Sequence, residues 1–91
     1  MRETAVIAHV TGRVQGVWFR AWTKAEAERR ALSGWVRNEA DGSVTALICG
    51  PEADVAEMVS ALRQGPPAAR VSGVTTQETE APRTPGFRIL R

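Results

Sequence analysis

Residues 4–11 alternate. Val6, Ala8 and Val10 fall on one side and Ala5, Ile7, His9 and Thr11 on the other, the period-two signature of a strand. The pattern then changes to helical spacing, starting at Phe19 or Arg20 and ending near Leu32. That spacing predicts Ala21, Trp22, Ala25 and Leu32 as inward positions, and Ser33-Gly34 ends the run. Short strands are predicted over residues 35–38 and 43–49. Between them lies Glu39-Ala40-Asp41-Gly42, where Asp-Gly favours the left-handed backbone of a tight turn. Val44, Ala46 and Ile48 share a face of the later strand. Val55, Met58, Val59 and Leu62 form an i, i+3, i+4, i+7 stripe, which predicts a helix over residues 52–64 closed by Gly65-Pro66-Pro67. A strand over residues 69–78, a loop marked by Pro82 and Pro85, and a short strand over residues 87–91 complete the chain.

Strand, helix, strand, strand, helix, strand is the ferredoxin-like split order. The predicted fold class is therefore α+β: a βαββαβ sandwich with an antiparallel sheet of about four to five strands and both helices on one face. Residues 1–91 are expected to form one domain. In this topology the first two strands run parallel, with the third antiparallel between them. The end of the first strand, the start of the first helix and the end of the second strand then meet at one end of the sheet. Arg20 and Asn38 fall there, and Cys49 falls at the opposite end.

Composition narrows the function classes. The chain is 43% hydrophobic and 24% charged, which is the balance of a globular protein and not of a disordered one. Its net charge is only +2 and its basic residues are scattered, so no nucleic-acid stripe stands out. Neither residues 4–11 nor 43–49 contain an aromatic residue, which argues against base stacking on the sheet. One cysteine and one histidine leave no disulfide and no Cys- or His-based metal cluster. No apolar run reaches the ~20 residues that span a bilayer, and the start is a polar entry into a strand. A soluble, cytoplasmic protein without a nucleic-acid or membrane partner is expected, with a monomer as the default.

Candidate chemistry concentrates in Gly12-Arg13-Val14-Gln15-Gly16-Val17-Trp18-Phe19-Arg20, between the first strand and the first helix. A helix N-terminus offers unpaired N–H groups and a positive dipole end, so first turns favour acids. Here Arg20 and Lys24 come first, with no acid before Glu26. The second helix begins in the ordinary way, with Pro51, Glu52 and Asp54. An external anion between the two cations would account for the difference. The loop lacks the Gly-Lys-Ser/Thr of a nucleotide-phosphate loop and has no cysteine nucleophile ahead of Arg20. Gly12 and Gly16 suit close backbone approach to such an anion. Cys49 reads as a small core or edge residue, His9 as a sheet-face histidine and Arg37 as a solvated charge. Asn38 in isolation reads as a turn residue, and Trp18 as either an exposed anchor or a substrate-facing wall.

The loop motif, followed by Gly34-Trp35-Val36-Arg37-Asn38, Asp41-Gly42-Ser43-Val44, Gly65-Pro66-Pro67, Ala69-Arg70-Val71 and Phe87-Arg88-Ile89, resembles the acylphosphatase family over essentially the whole chain. The resemblance implies hydrolysis of acyl phosphates to a carboxylate and inorganic phosphate, with no metal and no cofactor. Arg20 would grip the phosphoryl group, helped by backbone N–H groups of Gln15, Gly16, Val17, Trp18, Phe19 and Arg20, and Asn38 would hold the attacking water. Inorganic phosphate would be product and inhibitor. A non-catalytic phosphate- or acyl-phosphate-binding module of the same fold would carry the same loop. The family often has Gly where Trp18 stands, so the loop is expected to seat that side chain at negative φ. Leu and Gly are common where Arg30 and Ala31 stand; Arg30 is expected to lay its stem over the core, and Ala31 to forgo a left-handed cap. The family often has Glu where Thr45 stands and a C-terminal Tyr that this chain lacks.

Overall fold

The computed structural model describes residues 2–80 and 84–90. Pro82 of the predicted loop and Arg91 of the predicted last strand lie outside the described residues. The chain runs β1 (Glu3–Arg13), α1 (Phe19–Arg29), β2 (Ser33–Asn38), β3 (Val44–Pro51), α2 (Glu52–Gln64), β4 (Arg70–Glu78) and β5 (Phe87–Ile89). The order in the sheet is β4-β1-β3-β2-β5. Alternation sets the register: Val6, Ala8 and Val10 of β1 lie opposite Ile48, Ala46 and Val44 of β3. These side chains share the face that meets Phe19 and Ala27 of α1 and Val55, Met58 and Leu62 of α2, forming the main core.

The sheet is mixed and not antiparallel throughout. β5 lies parallel to β2, with Gly34 opposite Phe87 and Val36 opposite Ile89. The cause is a return path. β4 ends at the far end of the sheet, with Glu78 opposite Val6. A chain that turns back from there runs against β4, and hence along β1 and β2. Its last residues are thus delivered to the end where β1 and β2 finish.

The face of the sheet away from the helices carries a smaller cluster, in which Ala5, Leu47 and Cys49 are buried and Ile7 and Trp35 pack against them. Burial pushes the Cys49 thiol up, in keeping with an inert core cysteine. His9 is half-buried on this face beside Thr45. Arg37 is not a freely solvated charge: its guanidinium lies 4.7 Å from the Trp35 ring centre and its Nε is 3.0 Å from Glu39 Oε2.

Helix α1 is rotated from its predicted phase. Its buried positions are Phe19, Thr23 and Ala27, whereas Ala21 and Ala25 are exposed. Phe19 sets the phase, because its large ring enters the core and the i+4 and i+8 positions follow it. A threonine at the middle inward position hides that stripe from a purely apolar pattern. Trp22 packs partly on the core, its ring 5.4 Å from that of Phe19. Leu32 is buried as predicted, but beyond the helix end.

That end has a left-handed residue after all. Ala31 has φ 55, and the Leu32 and Ala31 N–H groups donate to Ala27 and Glu28 carbonyls at 2.9 and 3.0 Å. These are the two bonds of a Schellman cap, formed on alanine where glycine is usual. The Arg30 side chain is only 16% exposed, and its guanidinium bonds Glu26, through both its carbonyl and its carboxylate, and Glu57 of α2 at 2.8 Å. The Arg30 guanidinium holds the Glu26 carboxyl below its ordinary range. That contribution to stability is present above the unfolded carboxylate range and is lost as pH falls through the depressed value.

A left-handed alanine carries strain that glycine does not. Ala31→Gly is expected to stabilise the fold by about 1 kcal/mol, raising Tm by about 4–8 °C in a thermal melt. A lower Tm would contradict the left-handed cap.

Candidate active site

Past β1 the chain puts alternate residues in and out. Val14, Val17 and Phe19 are buried, while Gly16 and Trp18 face outward. Gly16 has φ 73, with nothing within 4 Å of where a Cβ would stand. Trp18 has φ 63 and ψ 22, so it is left-handed, opposite to the expected negative φ. It flanks α1 without a capping side-chain bond, and its carbonyl accepts the Trp22 N–H at 3.0 Å. Among the described residues, no amide of residues 16–20 donates to a backbone carbonyl. Gly12 serves a different purpose from the one expected. It sits at a register shift between β1 and β4, where a Cβ would overlap the Arg70 carbonyl. It is a glycine of the sheet and not of the loop.

The loop is tied to its surroundings by the Gln15 side chain. Nε2 donates to the carbonyls of Glu39 at 2.7 Å and Ser43 at 2.8 Å. These carbonyls bracket the β2–β3 turn, which is closed in turn by the Glu39 N–H on Ser43 at 2.8 Å. Asp41 caps the same turn by accepting the Ser43 hydroxyl and N–H through Oδ1, and these bonds hold its carboxyl below the usual range. The Thr45 hydroxyl and then Arg37 do the same for Glu39. Loop and turn are thus joined by hydrogen bonds, with Asn38 beside Glu39 at the junction. Sequence reasoning used only the backbone amide of Gln15 and missed this clamp. The signal was a long amide side chain held near a turn whose carbonyls point inward.

Arg20 and Asn38 border a common cavity of about 440 Å³, together with Gly16, Trp18, Phe19 and Ile89. Gln15 and Val17, two of the expected phosphate-loop residues, are not among its lining residues. Arg20 Nη1 donates to the Leu90 carbonyl at 3.3 Å, and the Leu90 N–H donates to Val36 at 2.8 Å. The guanidinium is therefore steadied by the residue after β5, a contribution invisible without the parallel pairing. Lys24 is not its companion: its ammonium is 2.6 Å from Glu28, one turn further along α1. Asn38 is half-buried, and its Oδ1 is buried with no hydrogen-bond partner among the described residues. A fixed guanidinium, a carboxamide and unpaired amides at a helix start suit a small, doubly charged oxyanion.

The acylphosphatase family model matches residues 6–89. The chain belongs to the acylphosphatase family. It is 54% identical to an acylphosphatase of Rhizobium meliloti over 96% of this chain and 93% of that relative. Among solved structures, an acylphosphatase from Coxiella burnetii superposes with a TM-score of 0.93 at 36% identity, covering 97% of this chain and 93% of that one. One from Bacillus subtilis gives 0.91 at 36% identity, covering 97% and 99%. These likenesses span both helices and the whole motif-bearing end of the sheet, so the family fold and this chain's ferredoxin-like sandwich are the same.

Within this family member the Gln15 clamp can be removed without changing side-chain length. Gln15→Met deletes two part-buried donors and is expected to cost about 1–3 kcal/mol in urea unfolding. It is also expected to weaken protection by inorganic phosphate. An unchanged urea midpoint would mean that the clamp does not hold the loop.

Proposed function

We propose that this acylphosphatase-family chain hydrolyses acyl phosphates with Arg20 and the amides of residues 15–20 holding the phosphoryl group and Asn38 orienting water. The observation that carries this reading is the convergence of Arg20 and Asn38 on a cavity beside amides that the fold leaves unpaired. Arg20 supplies a two-pronged contact to phosphoryl oxygens, and the start of α1 adds its dipole. Arg20 Nη1 donates to the Leu90 carbonyl at 3.3 Å, which favours this orientation of the guanidinium. Phosphoryl transfer has a loose transition state, so holding and charge stabilisation do most of the work.

Asn38 Oδ1 is buried, so we assign the donating role toward water to its amide NH2. A donor on one lone pair of that water leaves the other free to attack phosphorus. The water oxygen bonds to phosphorus as the bond from phosphorus to the acyl oxygen breaks. The acyl oxygen leaves with the bonding pair as a carboxylate, and the water's proton passes to the new phosphate. A carboxylate needs no general acid to leave, which fits a cavity bordered by an arginine and an asparagine with no carboxylic acid or imidazole among its lining side chains. Neither an amide nor a guanidinium changes its protonation state near neutrality, so neither serves as general acid or base. No metal enters this mechanism, and the substrate acts without a cofactor.

Arg20→Ala is expected to lower turnover of benzoyl phosphate by on the order of 10³-fold or more, since one such donor is worth about 10²–10³. Near-normal turnover would sink the assignment. Asn38→Ala is expected to lose on the order of 10²-fold. Because it removes a buried, unpaired oxygen, its Tm should stay level or rise. Parallel losses of activity and Tm would instead make Asn38 a structural turn residue. EDTA is expected to leave the rate unchanged and inorganic phosphate to compete with substrate; a rate abolished by EDTA would require a metal mechanism. A binding module without catalysis would bind phosphate and release no benzoate.

A further inference from the structure

Among the described residues two large apolar side chains stand exposed, Trp18 at 83% and Ile89 at 42%. Both border the cavity that holds Arg20 and Asn38. They reach it from separate elements, one from the loop before α1 and the other from β5. The aromatic and cation contacts elsewhere are made by the other two tryptophans: Trp22 meets Phe19, and Trp35 lies under Arg37. Trp18 has neither. It also occupies a left-handed backbone conformation that a bulky side chain adopts only at a cost. Strain of this kind persists where the surroundings enforce it, and it clusters at ligand sites.

The cavity is larger than its anion end requires. At about 440 Å³ it falls within the ~300–1,000 Å³ range of sites that bury whole organic ligands. Val14, Phe19 and Ala21 add apolar wall to the same cavity. A substrate held by its phosphoryl group at Arg20 has its acyl group still to place, and apart from Gly16 and Asn38 the other lining residues are apolar.

We propose that Trp18 and Ile89 form an acyl-side subsite that favours planar, apolar acyl groups, aromatic ones above all, over short ones. The proposal rests on the hydrolase reading above and names the substrate class for that site. Trp18 offers a flat face for stacking, and Ile89 adds an apolar side chain from a separate element. Aromatic pairing of this kind distinguishes substrates by their acyl ends alone, since every acyl phosphate shares the phosphoryl end.

The test is a ratio. kcat/KM is measured for benzoyl phosphate and acetyl phosphate with the unaltered protein and with Trp18→Gly, Trp18→Asn and Ile89→Ala. Any effect on the phosphate loop acts on both substrates and cancels in the ratio. Glycine and asparagine both accept the left-handed backbone, so the two Trp18 variants separate side-chain loss from added loop freedom. The benzoyl-to-acetyl ratio is expected to fall by about 3–10-fold in each Trp18 variant, and by a smaller factor in Ile89→Ala. Ile89 lies outside the phosphate loop and carries the test if the Trp18 variants lose turnover altogether. A ratio unchanged in all three overturns the subsite, and would leave the exposed pair as a protein-contact patch. Failure of the unaltered protein to hydrolyse either substrate overturns the hydrolase reading instead.

Discussion

Residues 16–20 enter a helix without pairing their amides to any backbone carbonyl among the described residues, and the rest of that end of the sheet is arranged around this deficit. Unpaired N–H groups at a helix start draw in whatever acceptor is near, and the usual acceptors are the protein's own carboxylates or caps. Neither helix has a side-chain cap, but α2 carries Glu52 and Asp54 in its first turn to complement its dipole, whereas α1 has no acid there. Something must also keep the loop from folding inward to satisfy itself. Val14, Val17 and Phe19 anchor it from below, and Gln15 ties it sideways to the β2–β3 turn. The result is a row of donors held apart from acceptors by the fold itself.

Much of this was legible because it depends on period and punctuation. Alternation in β1 and β3 gave the core face, and the stripe from Val55 to Leu62 gave α2 with its ends at Glu52–Gln64. The split βαβ order then brought Arg20 and Asn38 to one end, because strand direction alone decides which ends meet. What failed depended on tertiary packing. The phase of α1 follows from one large ring, Phe19, and a buried threonine, neither of which a sum of apolar positions weights correctly. The parallel direction of β5 follows from where β4 ends, so the tether from Arg20 to Leu90 had no local signal. Arg37 looked solvated because a strand face does not reveal that Trp35, two residues back, offers its ring.

The glycines teach a related point about inference from residue type. Gly12 and Gly16 belong to one motif, yet only Gly16 stands in open space beside the cavity. Gly12 is demanded by the backbone of β4 pressing against it. A motif can therefore bundle a residue needed by the sheet with residues needed by the site. The converse holds at Trp18 and Ala31, where positive φ occurs without glycine. Residue type predicts conformation when sterics act alone, and it fails when hydrogen bonds or packing impose a shape from outside.

Those two left-handed residues bound the same helix but differ in what offsets their strain. At Ala31 the compensation is visible: two backbone bonds close the helix end and Leu32 is carried into the core. Arg30 adds a link across to Glu57 beside it. At Trp18 the fold gains little, because its side chain lies in solvent and no side-chain cap forms. What the conformation does achieve is directional. It turns the chain from the buried Val17 to the buried Phe19 while leaving the intervening amide unpaired and the indole over the cavity. Together with the unpaired Oδ1 of Asn38, this puts two destabilising features at one cavity, while the well-satisfied network of Arg30, Glu26 and Glu57 sits at the other end of α1. Of the two buried, unpaired side-chain oxygens among the described residues, Thr23 Oγ1 lies in the core and Asn38 Oδ1 at this cavity. What sets the cavity apart is therefore that Asn38 stands there beside a left-handed residue whose strain no contact of its own side chain offsets.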